Sequence, residues 1–168
     1  MPEKEVIERA KKDKREGKSA STQAGEFVRE EIEHVREGKH GARSTKQAIA
    51  IGLSEARRAG VDLPPPKKGK ASSKTVKRAK RDLKAGKKGT ARHASTKRSR
   101  ATSKALKREG HAAASKRALS KHARKSARKR TAGQRSAAAK KAARTKGAKA
   151  RSAAARKAAR TRARNRKG

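Results

Sequence analysis

The chain has no cysteine, no tryptophan and no tyrosine, and only one phenylalanine, Phe27, among its 168 residues. Without cysteine there is no disulfide framework and no thiolate metal site, a usage that fits a reducing compartment. A single aromatic ring makes no platform on which successive nucleobases could stack. No apolar run approaches the roughly 20 residues that a membrane span needs. The opening MPEKEVIERA has no signal-peptide core, so a cytoplasmic protein is expected. Acids are scarce as well, and unevenly so. Residues 61–168 hold 40 of the 54 Lys and Arg but only Asp62, Asp82 and Glu109, a net charge of 40 − 3 = +37. Residues 1–60 carry 14 − 11 = +3.

Large apolar side chains also run out. After Leu63 only Val76, Leu83, Leu106 and Leu119 remain. At roughly 1.5–3 kcal/mol per fully buried side chain, four of them do not offset about 1.5 kcal/mol of ordering entropy per residue over such a length. The expected fold is therefore mainly α. A small, loosely packed three-helix head spans 1–63 and a Pro/Gly/Lys linker spans 64–71. A basic, low-complexity tail follows over 72–168, disordered or in isolated helices without a core.

Three helix-period segments make up the head. Pro2 to about Arg15 places acids early (Glu3, Glu5, Glu8) and bases late (Lys11, Lys12, Lys14, Arg15), as the helix dipole favours, with Gly17 as the stop. A second segment runs from about Thr22 to Glu37, with Ser21 or Thr22 as N-cap and Gly38 as terminator. Its stripe is Val28, Ile32 and Val35 with Phe27 beside it, while Glu26, Glu30, Glu31, Glu33 and Glu37 face elsewhere. The third opens on Ser44-Thr45-Lys46-Gln47, a capping-box pattern, carries Ile49, Leu53 and Ala56 on one face, and ends at Gly60. Pro64-Pro65-Pro66 then forms a stiff spacer.

The run Lys46-Gln47-Ala48-Ile49-Ala50-Ile51-Gly52-Leu53-Ser54-Glu55-Ala56-Arg57 follows a Lys39-His40-Gly41 loop. It resembles a bacterial family of small basic proteins of unknown function that carries a KQAIAI-x-LSEAR signature, over roughly Glu33 to Lys68. The resemblance implies pairing with Lys/Arg-rich tails and implies no activity. Gln47 to Leu53 also has a faint helix-turn-helix flavour, but Arg57-Arg58 and three prolines stand where a recognition helix should follow. One continuous helix containing Gly52 is the expected outcome.

The tail is cut by Gly86, Gly89, Gly110, Gly133 and Gly147 into pieces rich in helix formers. Like charges at i, i+4, such as Lys121 with Lys125 and Lys140 with Arg144, oppose helix formation, and a polyanion would relieve that repulsion. The run Arg135 to Lys146 recurs as Arg151 to Arg162 with two Lys-to-Arg changes. The offset of sixteen residues is not a whole number of helical turns, so the copies would not share one face. In composition the tail resembles the Lys/Ala-rich tails of linker histones and histone-like bacterial proteins.

The residues expected to meet phosphate are Lys77, Arg78, Lys80 and Arg81; Lys97, Arg98 and Arg100; Lys116 and Arg117; and Arg124, Lys125, Arg128, Lys129 and Arg130. Further along they are Lys140, Lys141 and Arg144, then Arg156, Lys157, Arg160, Arg162 and Arg164. Arg43, Lys46, Arg57 and Arg58 are expected to form a secondary basic patch on the head. A charge of +37 matches that of roughly 63 Å of duplex, and ten phosphate contacts alone imply a log–log salt slope near −9. Such contacts position a protein without reading sequence.

Other chemistries find no support. Gly17-Lys18-Ser19 lacks the glycine a phosphate-binding loop needs five residues earlier, where Lys12 stands. No nucleophile, base and orienting group can be assembled, so no enzyme and no cofactor are expected. His34 and His40, with Glu33 and Glu37 nearby, read as solvated polar residues and not as a metal site; His93, His111 and His122 read as extra positive charge. The expected function is sequence-nonspecific DNA binding by a nucleoid-associated, histone-like protein that neutralises phosphates and compacts duplexes, with the head available for self-association or a protein partner. The alternatives are an RNA-binding or ribosome-associated protein, or an interaction protein whose acidic helix 22–37 is the working surface and whose tail localises it.

Overall fold

A computed structural model describes residues 2–67, 69–89 and 96–166; His93 and the side chains of Arg98, Thr145 and Lys146 lie outside the described parts. Every regular element among the described residues is helical. Helix α1 (Lys4–Arg15) ends in a turn whose Gly17 has φ +70°, and α2 (Ala20–Arg36) ends at Gly38 with φ +77°. Both glycines stop a helix as the sequence indicates, by adopting a left-handed conformation that side chains with a Cβ resist. Helix α2 starts earlier than expected, with Ser19 and not Ser21 or Thr22 at its N-cap. Helix α3 (Thr45–Arg58) runs unbroken through Gly52, so no helix-turn-helix forms there. At its start the Gln47 amide donates to Ser44 Oγ at 3.2 Å, while Gln47 Oε1 accepts from the Arg43 amide at 3.1 Å. The capping box is thus closed one residue further out than its usual form.

Two buried clusters hold these helices together. Val6 and Ala10 of α1 meet Ala24 and Phe27 of α2, Ala56 of α3 and Val61. Ile32 and Val35 meet Ala42, Ala48 and Ala114. The face that α3 buries is Ala48, Gly52 and Ala56, three small residues at i, i+4, i+8; of the expected stripe of Ile49, Leu53 and Ala56 only Ala56 is buried, and the other two stay half-buried. Small residues let the backbones of α2 and α3 approach closely. A Cβ on Gly52 would stand 2.7 Å from Val28 Cα.

The expectation of a loose head followed by a coreless tail is corrected by the packing. Beyond the prolines, α4 (Ser73–Lys87) lies along α3. It buries Ala79 and Asp82, and Asp82 accepts from Ser54 Oγ at 2.7 Å and from Arg58 Nε at 3.2 Å. Gly86 sits against the Arg57 carbonyl, where a side chain would not fit. After α5 (Thr96–Lys107), the Gly41 and Ala42 amides donate to the carbonyls of Leu106 and Gly110 at 2.9 and 3.1 Å. A single 3-10 turn at Ala112–Ala114 then inserts Ala114 into the second cluster. Arg36 Nε donates to the Ala114 carbonyl at 2.9 Å and Thr45 Oγ1 to the Ala113 carbonyl at 2.7 Å. Docking relies on alanine methyls, close backbone contact and polar anchors, so a tally of large apolar residues does not detect it.

The chain divides into two units, Met1–His122 and Ala123–Gly168. Helix α6 (Lys116–Arg128) begins in the first, where Leu119 packs on the second cluster. In the second unit α7 (Ala132–Arg166) is capped by Thr131 and Gln134, whose side chains each accept the other's amide at 3.2 Å. Gly147, at φ 66° and ψ 167°, interrupts it. Every side chain described in α7 is exposed apart from the half-buried Ala143. The described part of this unit is helical and not disordered, and among its described residues none is buried.

Candidate nucleic-acid interface

The cationic surface is built from helices whose other face, where they have one, is already used. On α4 the residues at 76, 79, 82, 83 and 86 are half-buried or buried, which turns Lys77, Arg78, Lys80 and Arg81 outward. All four are exposed; Arg81 Nη2 comes within 4.0 Å of Asp82. On α5, Lys97 and Arg100 are exposed, and an open groove runs along the helix between Ser99, Arg100, Ser103, Lys104, Lys107 and Arg108. Four cations and two hydroxyls at 3- and 4-residue spacings suit a row of anionic oxygens. Lys104, Lys107, Arg108 and the two serines are not among the residues expected from the sequence. Their spacing over one helix face is the signal that would have found them. On α6, Lys116, Arg117, Arg124, Lys125 and Arg128 are exposed around the half-buried Ala118, Leu119 and His122, and Lys129 and Arg130 follow, also exposed.

Along α7 the break at Gly147 separates the two copies of the repeat, so each makes its own cationic stripe. At about 100° per residue, Lys140, Lys141 and Arg144 share an arc of about 100°, and Arg156, Lys157, Arg160 and Arg164 share the equivalent arc of the second copy. Arg162 points to the opposite side. The mismatch of sixteen residues with the helical period has no consequence, because one unbroken helix never has to carry both copies.

The head contributes less cationic surface than expected. Arg43 and Lys46 are exposed. Arg57 is buried, and its guanidinium donates to the carbonyls of Leu63, Leu53 and Pro64 at 3.1, 3.3 and 3.3 Å. It fastens the chain after α3 and is removed from the expected basic patch. Arg58 is shared with Asp82 and with Ser54 Oγ, the latter at 2.9 Å. The acids of α2 are also largely occupied: Glu30 and Glu31 are buried, and Glu26 accepts from Arg9 Nε at 2.9 Å and pairs with Arg29. Only Glu33 and Glu37 stay exposed, and Glu37 pairs with Lys39 at 3.1 Å.

Residues 11–68 match the model of a family described as a family of unknown function (DUF6496). The match reaches further toward the N-terminus than the resemblance centred on residues 46–57, and takes in part of α1, all of α2 and α3, and the prolines. It covers a minority of the chain and ends before α4, so the cationic helices lie outside it. No curated protein and no solved structure matches the chain. Among the described residues no helix is long and apolar enough to cross a membrane.

Proposed function

We propose that this protein binds nucleic acid through its phosphates, with duplex DNA as the principal ligand, in the manner of a histone-like, nucleoid-associated protein. The observation that carries the reading is the exposure of every described Lys and Arg side chain on α4 to α7, in a region where Asp82 and Glu109 are the only acids after residue 62. Asp82 is buried and already partnered. The stripe from Arg156 to Arg164 sets four cations along about 12 Å of helix, a stretch over which a duplex presents about seven charges. Neutralisation is thus partial per helix and grows as further helices engage. Nothing along these helices reads base edges, and affinity without sequence preference follows.

Competition gel shifts with two unrelated duplexes of equal length and a structured ribosomal RNA of equal charge provide the test. The two duplexes should compete equally. The alternative of an RNA-binding or ribosome-associated protein predicts that the RNA displaces either duplex at substoichiometric amounts.

A further inference from the structure

His34 and His40, which read as solvated in the sequence, lie in a half-enclosed cluster. Their side chains retain 19% and 20% of their exposure, and their rings meet edge to face with centroids 6.2 Å apart. Glu33 and Glu37 line a shallow pocket beside His34, but neither is among the groups whose donor atoms converge with both histidines. Glu31, one turn before His34 on the same face of α2, is 2% exposed and directs Oε2 to within 3.5 Å of His40 Nε2. Its Oε1 has no hydrogen-bond partner among the described residues. One nitrogen or oxygen from each of Glu31, His34 and His40 lies within 4.8 Å of the other two. His40 Nδ1 stands 3.2 Å from the Gly41 carbonyl, and donation there leaves the Nε2 lone pair facing Glu31. A ring nitrogen held by a backbone carbonyl is how proteins orient an imidazole toward a metal.

A buried carboxylate with one oxygen unpaired is costly on its own, and the neighbouring Glu30 is buried with its Oε2 unpaired too. Glu30 Oε1 accepts from the Glu3 amide at 2.7 Å, while Glu3 Oε1 lies 3.4 Å from His34 Nε2. The cluster is therefore rich in oxygen and nitrogen lone pairs, and it opens to solvent along the histidine edge. We propose that Glu31, His34 and His40 bind one divalent d-block cation, with Zn2+ as the reference ion. Two imidazoles and one carboxylate are a donor set suited to zinc, with a further coordination position left for water. The ion would tie the 38–42 loop to α2. That loop is the segment whose amides hold the Leu106 and Gly110 carbonyls, so bound metal would stabilise the first unit as a whole.

The test uses the full-length protein without an affinity tag, stripped with a chelator and titrated with ZnCl2 by calorimetry and with CoCl2 by visible absorption. One saturable equivalent is expected, with cobalt ligand-field bands and a melting temperature raised by Zn2+ and restored by chelator. Glu31→Gln and His40→Ala should each weaken Zn2+ binding at least about tenfold. Glu8→Gln, on the exposed face of α1, should leave it unchanged. Glu31→Gln preserves shape and removes the carboxylate that a metal would need, so it keeps the test decisive even if His40→Ala fails to fold. No saturable binding, or binding that Glu31→Gln leaves intact, would overturn the proposal.

Discussion

Glu31 shows how one side chain sets the behaviour of its surroundings. Burial, and secondarily the charges of Glu55 and Glu30, push its carboxyl from the ordinary 4.5 up to about 8. The titratable groups around it are His34, His40, Glu30 and Glu55. The metal-free folded protein therefore keeps a proton on Glu31 between about 4.5 and 8 that the unfolded chain has released. The contribution is fully present below the unfolded value and is lost as pH rises through the folded one. Thermal melts in chelator should show stability falling from pH 5 to pH 9, and Glu31→Gln should flatten that fall. A decline of equal size in Glu31→Gln would assign the effect to another group. Gly52 makes a second prediction: Gly52→Ala drives a methyl into the Val28 backbone and should cost roughly 1–3 kcal/mol in chemical unfolding. Neither role is visible in sequence. The periodicity marks α2 as amphipathic, but it cannot show that Glu30 and Glu31 lie on the inward side when Phe27 and Val35 share that face.

Element by element, the helix ends are the most legible feature. Gly17, Gly38 and Gly60 all terminate helices with positive φ, and Ser44 caps α3 through the Gln47 amide. What the helices pack with is less legible, because large apolar residues are the usual markers of a core and this seam has few. On α3 it is Ala48, Gly52 and Ala56, and the anchor of α4 is an aspartate. Asp82→Ala removes the acceptor for Ser54 and Arg58 and should destabilise the docking of α4 by roughly 1–3 kcal/mol. Hydrogen exchange should then speed up over 73–87 and remain unchanged in α2. Uniform loss of protection across all helices would mean that α4 does not open as a separate element. On α7 the Gly147 break is legible as a cut in a helix-forming run, and it explains why the repeat tolerates an offset foreign to the helical period.

For the whole molecule, the charge imbalance is the part of the candidate site that sequence shows most directly, since +37 over 61–168 needs no structure to be seen. Sorting those charges into exposed and buried or shared ones does need it: Arg57 is buried against three carbonyls and Arg58 is shared with Asp82, whereas Lys140, Arg144, Arg156, Lys157, Arg160 and Arg164 of α7 are exposed. The most direct measurement is the salt dependence of duplex binding by the full-length protein, set against a variant with Lys140, Lys141, Arg144, Arg156, Lys157 and Arg160 all changed to Gln. Affinity should fall steeply and linearly on log–log axes for the unaltered protein. In the variant the slope should shrink by up to about 5, at roughly 0.9 for each phosphate that is no longer neutralised. Absence of association at low ionic strength, or a slope identical in the two proteins, would contradict a phosphate-binding role for these helices.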